Sequence, residues 1–242
     1  MTQKTKWILG VLAILITLLM FGGIFVVGNI NNDEWVETIQ IKDTEVGYIP
    51  FGDSFTIGLG VAESHRWPNM MVENFAKEDI NIKILDSPAV SGYTVRDMIN
   101  FELPILKTLK PDFVTVFIGT NDSFDQRDVV VFEKDYKELL DRIQKLLPDP
   151  NSMVLITIPD YSNFPALKHN RRIDNSESIA SYNEVIKQES VIRDLILADI
   201  YPVSQTMTDE HDFILDGLHP SKAGYVKWER VISPKVRELL RN

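Results

Sequence analysis

The amino-acid sequence predicts an α/β protein with a mostly parallel, five-stranded sheet that helices cover on both faces. From about residue 46 onward, apolar runs typical of buried strands alternate with amphipathic segments of helical length. This alternation indicates βαβ crossovers, which place helices on both faces of a parallel sheet. The 242-residue chain is 44% hydrophobic and 25% charged, which suits one domain with a sizeable core plus an additional segment.

Five short apolar runs supply the predicted strands. Their β-branched and aromatic residues favour extended backbone, most clearly in the run DFVTVFIG. The predicted strands cover residues 46–51, 81–86, 112–119 and 152–159, with a short fifth strand around residues 198–203.

Amphipathic segments between these runs supply the helices. They cover residues 64–78 and 131–147, a segment that ends near Leu197, and residues 221–240. Residues 94–109 are expected to form helical turns that are interrupted at Pro104, because proline lacks the amide hydrogen that a helix needs.

The amino-terminal segment predicts a membrane anchor. Residues 7–27 carry no charge and would extend about 31 Å as a helix, enough to cross a bilayer core. No polar stripe interrupts the run, which disfavours a buried core helix, and no clear cleavage site follows it, which favours an anchor over a cleaved signal peptide. Lys4 and Lys6 precede the span, so the positive-inside rule leaves residues 1–6 as a cytoplasmic tail. Residues 28–45, which include a possible strand within residues 35–41, are then an external stalk before the folded domain over residues 46–242.

Composition excludes several classes of function. The chain has no cysteine, which removes disulfides, a thiolate nucleophile and cysteine-ligated zinc. A net charge of -10 without a clustered basic face argues against nucleic acid as a partner.

Four short polar stretches fall at predicted strand ends or in late loops, where ligands bind to parallel sheets. Their residue types suit acyl transfer: Ser54 as nucleophile, His219 as its base and Asp216 as the acid that orients the histidine. The N–H groups of Ser54 and Gly92 and the side-chain amide of Asn121 are candidate donors to an oxyanion. The stretches are GDSFT (52–56), SGYT (91–94), GTND (119–122) and DGLHPS (216–221).

Each stretch alone also reads as an ordinary turn or helix cap. A metal site is a further alternative, although its residues have no recognised ligand spacing, and we expect neither a metal nor a cofactor. The residues of that alternative are Asp209, His211, Asp212 and His219.

Together, the four stretches resemble the blocks of the SGNH hydrolases, also called the GDSL esterase and lipase family, from about residue 46 to the end. The resemblance implies that Ser54, Asp216 and His219 are catalytic and that Ser54, Gly92 and Asn121 form the oxyanion hole. It also implies a flavodoxin-like three-layer α/β/α sandwich. Phe55 stands where the family frequently has leucine or isoleucine, and RWP at 66–68 is similar to lysophospholipase-like members.

The sequence therefore predicts a membrane-anchored, extracytoplasmic serine esterase that acts on a lipid, a lysolipid or an acylated envelope glycan. Its expected partners are an acyl-ester substrate and, through the amino-terminal helix, the membrane. An O-acetyl esterase of surface glycans is an alternative, and a flavodoxin-like module that binds phosphate or flavin is a non-enzymatic one. Tyr161, Phe164 and Leu167, in the loop over residues 159–172, either wall an acyl site or pack the loop onto the sheet.

Overall fold

A computed structural model describes residues 24–27, 38–41, 45–167 and 176–241 of the chain. The chain divides into two compact units, Met1–Glu45 and Val46–Asn242. In the first unit, strand β1 (Ile24–Val27) pairs antiparallel with β2 (Thr38–Ile41), so a strand does form within residues 35–41.

The predicted span over residues 7–27 overlaps the described residues only in β1, and there the backbone is a strand rather than a helix. The sequence IFVV is β-branched and aromatic, which suits extended backbone. The remainder of the span, the residues 1–6 tail and most of the predicted stalk lie outside the described residues. Among the helices that the structure does describe, none has the length and apolarity needed to cross a bilayer.

The second unit is built on a parallel sheet of five strands, as the sequence predicts. The strand order β4-β3-β5-β6-β7 is that of flavodoxin-like folds, because the chain crosses from β4 back over β3 to reach β5. The carboxyl ends of β3 and β5 therefore lie side by side at the point where the strand order reverses. The strands are β3 (Val46–Gly52), β4 (Ile82–Ile84), β5 (Phe113–Phe117), β6 (Met153–Ile156) and β7 (Ile196–Ala198).

Helices complete the three layers. Helix α2 packs against α8, and α5 packs against α6, so the sheet lies between two helical layers. The helices are α1 (Ser54–Ile57), α2 (Trp67–Ala76), α3 (Val95–Asp97), α4 (Thr120–Phe124), α5 (Val129–Leu146), α6 (Ser176–Ile192), α7 (Tyr201–Gln205) and α8 (Lys222–Leu239). After α3 the chain continues as a π-helix (Met98–Glu102) and a 3-10 helix (Leu103–Lys107), which matches the interruption expected at Pro104.

The prediction was wrong between α6 and α7. The helix expected to reach Leu197 ends at Ile192, because Asp194 adopts a left-handed conformation with φ 54°. The residues that follow form β7, which pairs with β6. The strand expected over residues 198–203 is displaced, since Pro202 favours the first turn of α7.

Strand β3 extends beyond its neighbour β4, and this difference in length positions the site. Tyr48 is opposite Ile84, the last residue of β4, and its carbonyl accepts from Leu85 N–H at 2.8 Å. Because residues alternate sides along a strand, Pro50 and Gly52 turn their backbone nitrogens toward the side where β4 has already ended. Pro50 is tolerated in a central strand for this reason, since no β4 carbonyl is left without a donor.

Candidate active site

Ser54 is the first residue of α1, and only Asp53 separates it from the end of β3. Asp53 caps this helix, and its Oδ1 accepts a hydrogen bond from Phe55 N–H at 2.9 Å. The turn is so tight that a Cβ at Gly52 would lie 2.6 Å from the carbonyl oxygen of Phe117, which explains the glycine. As the first helical residue, Ser54 has an N–H without an acceptor inside the helix, so that N–H can serve a ligand.

Asp216 and His219 lie in one loop that is folded back on itself. Ile214 N–H donates to the carbonyl of His219 at 2.9 Å, and Gly217 takes a φ of 68°, which glycine adopts without strain. Within the loop, Asp216 Oδ1 accepts from the N–H groups of Leu218 and His219 at 2.8 and 2.9 Å. The sequence spacing therefore fixes the acid beside the base.

Ser54, His219 and Asp216 form a continuous hydrogen-bonded chain. His219 Nδ1 is 2.7 Å from Asp216 Oδ2, and His219 Nε2 is 2.9 Å from Ser54 Oγ. A carboxylate only accepts, so Nδ1 carries the proton and Nε2 is free to accept from the serine hydroxyl. Partial burial acts to raise the pKa of Asp216, but the two backbone N–H groups and the His219 ring outweigh it and hold this pKa below its ordinary value. Asp216 is thus more readily ionised than an ordinary aspartate.

Aromatic packing fixes the histidine ring. The Phe55 ring lies 5.4 Å from the His219 ring and 5.3 Å from Trp228, centroid to centroid. Ser54 and His219 remain 7% and 8% exposed, so the pair is shielded but open to a substrate. The phenylalanine that departs from the usual family residue therefore supports the base from one side.

Asn121 connects two of the other motifs. It lies in the first turn of α4, and its Nδ2 donates to the carbonyl of Tyr93 at 2.8 Å and to Asp53 Oδ2 at 3.2 Å. Both acceptors require the nitrogen rather than the oxygen at this place, so the orientation of the amide is determined. Both amide hydrogens already donate to acceptors within the chain. An oxyanion beside Ser54 would therefore have to compete with Asp53 for the amide hydrogen that makes the longer bond, at 3.2 Å.

Gly92 lies one residue before Tyr93 in a turn with φ 86°. A Cβ at Gly92 would meet no atom of the chain within 4 Å. Within the chain, the glycine is required by its positive φ, which other residues adopt only with strain. The space in front of it is open to a ligand.

Three buried carboxyl groups surround the turn at Ser54. Burial raises the pKa of Asp53 to about 7, with the Phe55 N–H opposing and the Asp122 charge adding to the shift. Burial, together with the smaller effects of the Asp53 and Asp97 charges, raises the pKa of Glu102 to about 9, against the opposing effect of the Gly52 N–H. Burial also raises the pKa of Asp122, against the opposing effects of Val95 N–H and Arg127. The raised pKa values mean that the protein interior at this sheet edge favours the neutral form of these carboxyl groups.

Asp122 binds the second and third motifs together. Its Oδ2 accepts from Val95 N–H at 2.9 Å, at the start of α3, and its Oδ1 pairs with Arg127 at 2.6 Å. Asp122 thus ties α3, which follows Gly92, to α4, which contains Asn121.

The loop over residues 159–172 packs rather than walling a site, as far as it is described. Tyr161 and Phe164 are fully buried in the core, and Leu167 is half-buried against it. The acyl-wall interpretation is therefore wrong for the two aromatic residues. The loop nevertheless borders the catalytic loop, because Ala166 N–H donates to the carbonyl of Gly217 at 3.0 Å.

The residues of the alternative metal site do not converge. Asp209 pairs with His211, Asp212 pairs with Lys227, and His219 faces Ser54. No group of three or more potential metal ligands occurs in the described part of the chain.

Sequence reasoning missed Asp53, Glu102 and Asp122 as members of the site. Asp53 and Asp122 stand inside quoted motifs, so their position next to Ser54 and Asn121 was an available signal. Glu102 had no such signal, because only the fold brings it to Gly52.

The chain has a flavodoxin-like sandwich, and a serine, a histidine and an aspartate are linked by hydrogen bonds at the sheet edge where the strand order reverses. This combination is typical of α/β serine hydrolases. The GDSL-like Lipase/Acylhydrolase family matches residues 51–227, and the chain belongs to this family of esterases and acylhydrolases.

Known proteins resemble this chain in sequence or in fold. A multidomain esterase of Ruminococcus flavefaciens is 31% identical over 125 residues, which cover 50% of this chain and 15% of that much longer protein. The crystal structure of TesA matches with a TM-score of 0.67 at 18% identity, over 80% of this chain and 99% of that one. An acetylxylan esterase of Geobacillus stearothermophilus, Axe2, matches with a TM-score of 0.60 at 21% identity, over 79% and 94%. At these identities the two structures support the fold alone.

Proposed function

We propose that this protein is a serine esterase that hydrolyses acyl esters through Ser54, His219 and Asp216. The observation that carries the proposal is the unbroken hydrogen-bonded chain from Ser54 Oγ through His219 to Asp216, at 2.9 and 2.7 Å. As Ser54 Oγ attacks the ester carbonyl carbon, His219 Nε2 takes its proton, and the ionised Asp216 stabilises the imidazolium.

The tetrahedral intermediate then has three candidate donors: the N–H groups of Ser54 and Gly92 and the amide of Asn121. When the intermediate collapses, His219 returns the proton to the leaving alcohol and the acyl group stays on Ser54. Water activated by the same histidine releases the acid and regenerates the serine.

Exposed apolar side chains that are close to the four motifs along the sequence are the support for an ester with an apolar acyl group, as in a lipid or a lysolipid. Each lies within five residues of a site residue, and all are more than a third exposed. Apolar surface at a binding edge favours an apolar ligand. They are Leu59, Val90, Phe124 and Leu215.

An O-acetyl ester on a surface glycan is the second candidate. Burial of Tyr161 and Phe164 removes the aromatic wall that a long acyl chain would use, which favours a short acyl group. The fold similarity to Axe2, an acetylxylan esterase, is in line with this candidate.

The proposed location is the outer face of the cell membrane, with the chain anchored through residues 7–27. Support comes from the uncharged run, the lysines before it and the acidic residues after it. A lysophospholipase-like activity and a glycan deacetylase both fit such a place.

The test is hydrolysis of p-nitrophenyl esters of graded length and of acetylated glycans by the wild type and by Ser54→Ala. We expect a loss of about 10³-fold or more in kcat for every accepted substrate, together with loss of fluorophosphonate labelling. Ser87→Ala, at a half-buried serine outside the four motifs, is the matched control and should retain both. Turnover by Ser54→Ala at the wild-type rate would overturn the mechanism.

A further inference from the structure

The strand that carries the nucleophile ends with a backbone donor that the sheet cannot satisfy. Gly52 N–H faces the side of β3 where β4 is absent, because β4 ends opposite Tyr48. A buried N–H without an acceptor costs about as much as a lost hydrogen bond. Something outside the sheet has to accept from it.

Glu102 supplies that acceptor. Its Oε2 accepts from Gly52 N–H at 3.1 Å, and its side chain is buried, with the residue 1% exposed. The carboxyl thus occupies the place that the next carbonyl of β4 would take. Glu102 is the last residue of the π-helix Met98–Glu102, a rare conformation whose wider turn redirects the side chains on its surface.

No other side chain of the described site holds this backbone. Asp53 and Ser54 follow Gly52 directly, so a shift of the Gly52 peptide moves the cap of α1 and the nucleophile together. The other carboxyl oxygen, Oε1, is buried with no hydrogen-bond partner. Burying a carboxyl group that makes only one hydrogen bond costs free energy, and an apolar side chain would pack there without that cost. The presence of Glu102 therefore points to a specific role.

We propose that Glu102 is a positioning residue for the nucleophile, which holds the Gly52 peptide through its buried carboxyl group and so aims Ser54 at His219. The inference rests on the proposed esterase mechanism, because its readout is turnover at Ser54.

The charge state of Glu102 gives the proposal a second readout. Burial and the negative charges of Asp53 and Asp97 raise its pKa to about 9, so the carboxyl is protonated at neutral pH. Asp53 faces it from the start of α1 and Asp97 from α3; both are acidic. Above pH 9, ionisation places a new negative charge beside Asp53, and the turn at Ser54 is displaced.

Three variants of the full-length protein test the proposal, with active sites counted by fluorophosphonate labelling. Glu102→Ala removes the acceptor and should lower kcat by about 10²-fold with little change in KM, since a small misplacement of a reacting group costs that much. Glu102→Gln keeps an acceptor but cannot ionise, so it should match wild type at pH 7 and keep its activity above pH 9, where wild type declines. The control is Glu189→Ala. Glu189 is a buried glutamate of α6 that pairs with Arg193, and its replacement should leave kcat unchanged.

Wild-type kcat in Glu102→Ala would overturn the proposal, as would an alkaline decline in Glu102→Gln equal to that of wild type. If Glu102→Ala does not fold, the comparison of the two pH profiles decides alone. Failure of the proposed function has a different signature, namely wild-type protein that neither turns over esters nor labels at Ser54.

Discussion

Replacing Asn121 by aspartate tests the electrostatics beneath the nucleophile. The substitution keeps the shape of the side chain, but it puts an oxygen where Nδ2 now donates to Asp53 Oδ2 at 3.2 Å. Two carboxylates at that separation repel each other by about 5 kcal/mol at an effective dielectric constant of about 20. Asp53 is fully buried and its pKa is already raised to about 7, so no solvent relieves the repulsion.

The loss of stability should depend on pH, and its sign follows from proton binding. In the unfolded chain both aspartates ionise near their ordinary pKa of about 4. In the folded variant the pKa of the pair is raised, so the folded state holds protons that the unfolded state has released. The free energy of unfolding therefore falls as pH rises from about 4 through the folded pKa. At pH 5 a shared proton bridges the pair, and the deficit relative to wild type should be small; at pH 8 it should approach 5 kcal/mol.

Urea unfolding at pH 5, 6.5 and 8, followed by the fluorescence of the buried Trp67 and Trp228, measures this deficit. Asn121→Ala removes the same donor without adding a charge, so its deficit should change much less with pH. Both variants should lose about 10²- to 10³-fold in kcat if the amide binds the oxyanion. A deficit of Asn121→Asp that is equal at pH 5 and pH 8 would refute the electrostatic reasoning.

Two further predictions concern Gly92 and the amino terminus. Gly92→Ala should lower kcat more than it raises KM. It should also lower the free energy of unfolding by about 1–3 kcal/mol, because alanine is strained at φ 86° although its Cβ has space. An unchanged kcat would show that Gly92 is not part of the oxyanion hole. The full-length protein should fractionate with membranes, resist extraction by high salt and be released by detergent, and removal of residues 1–31 should leave a soluble, active enzyme. Digestion by protease added to wall-stripped cells checks the orientation, and a mature protein in the medium that begins near Gly28 would make the segment a signal peptide instead.

The sheet and the site residues were predictable for a local reason. The strands are mainly apolar runs, interrupted in β4 by Lys83, and each of Ser54, Gly92, Asn121 and His219 stands in a short motif next to a strand end or a late turn. Because the carboxyl ends of parallel strands share one edge, the motifs could be brought together without knowing any contact.

The features that the sequence did not predict depend mainly on contacts between segments far apart in the chain. The aromatic residues Tyr161 and Phe164 look the same in sequence whether they wall a site or fill the core, and only packing decides. Likewise, the role of Glu102 follows from the shortness of β4 and from a π-helix, neither of which has a sequence signature. The boundary between α6 and β7 was misplaced because an apolar run of that length suits either structure.

The separation of the catalytic groups along the chain has a consequence for biosynthesis. Asp216 and His219 lie three residues apart, whereas Ser54 and His219 are separated by 165 residues. Helix α8, which follows the histidine loop directly, packs against α2 near the start of the same unit. A chain emerging from the ribosome therefore exposes its serine long before the histidine exists, and closing so long a loop comes late in folding. Under the proposed mechanism, the nascent chain therefore cannot cleave esters until α8 has been made and has packed against α2.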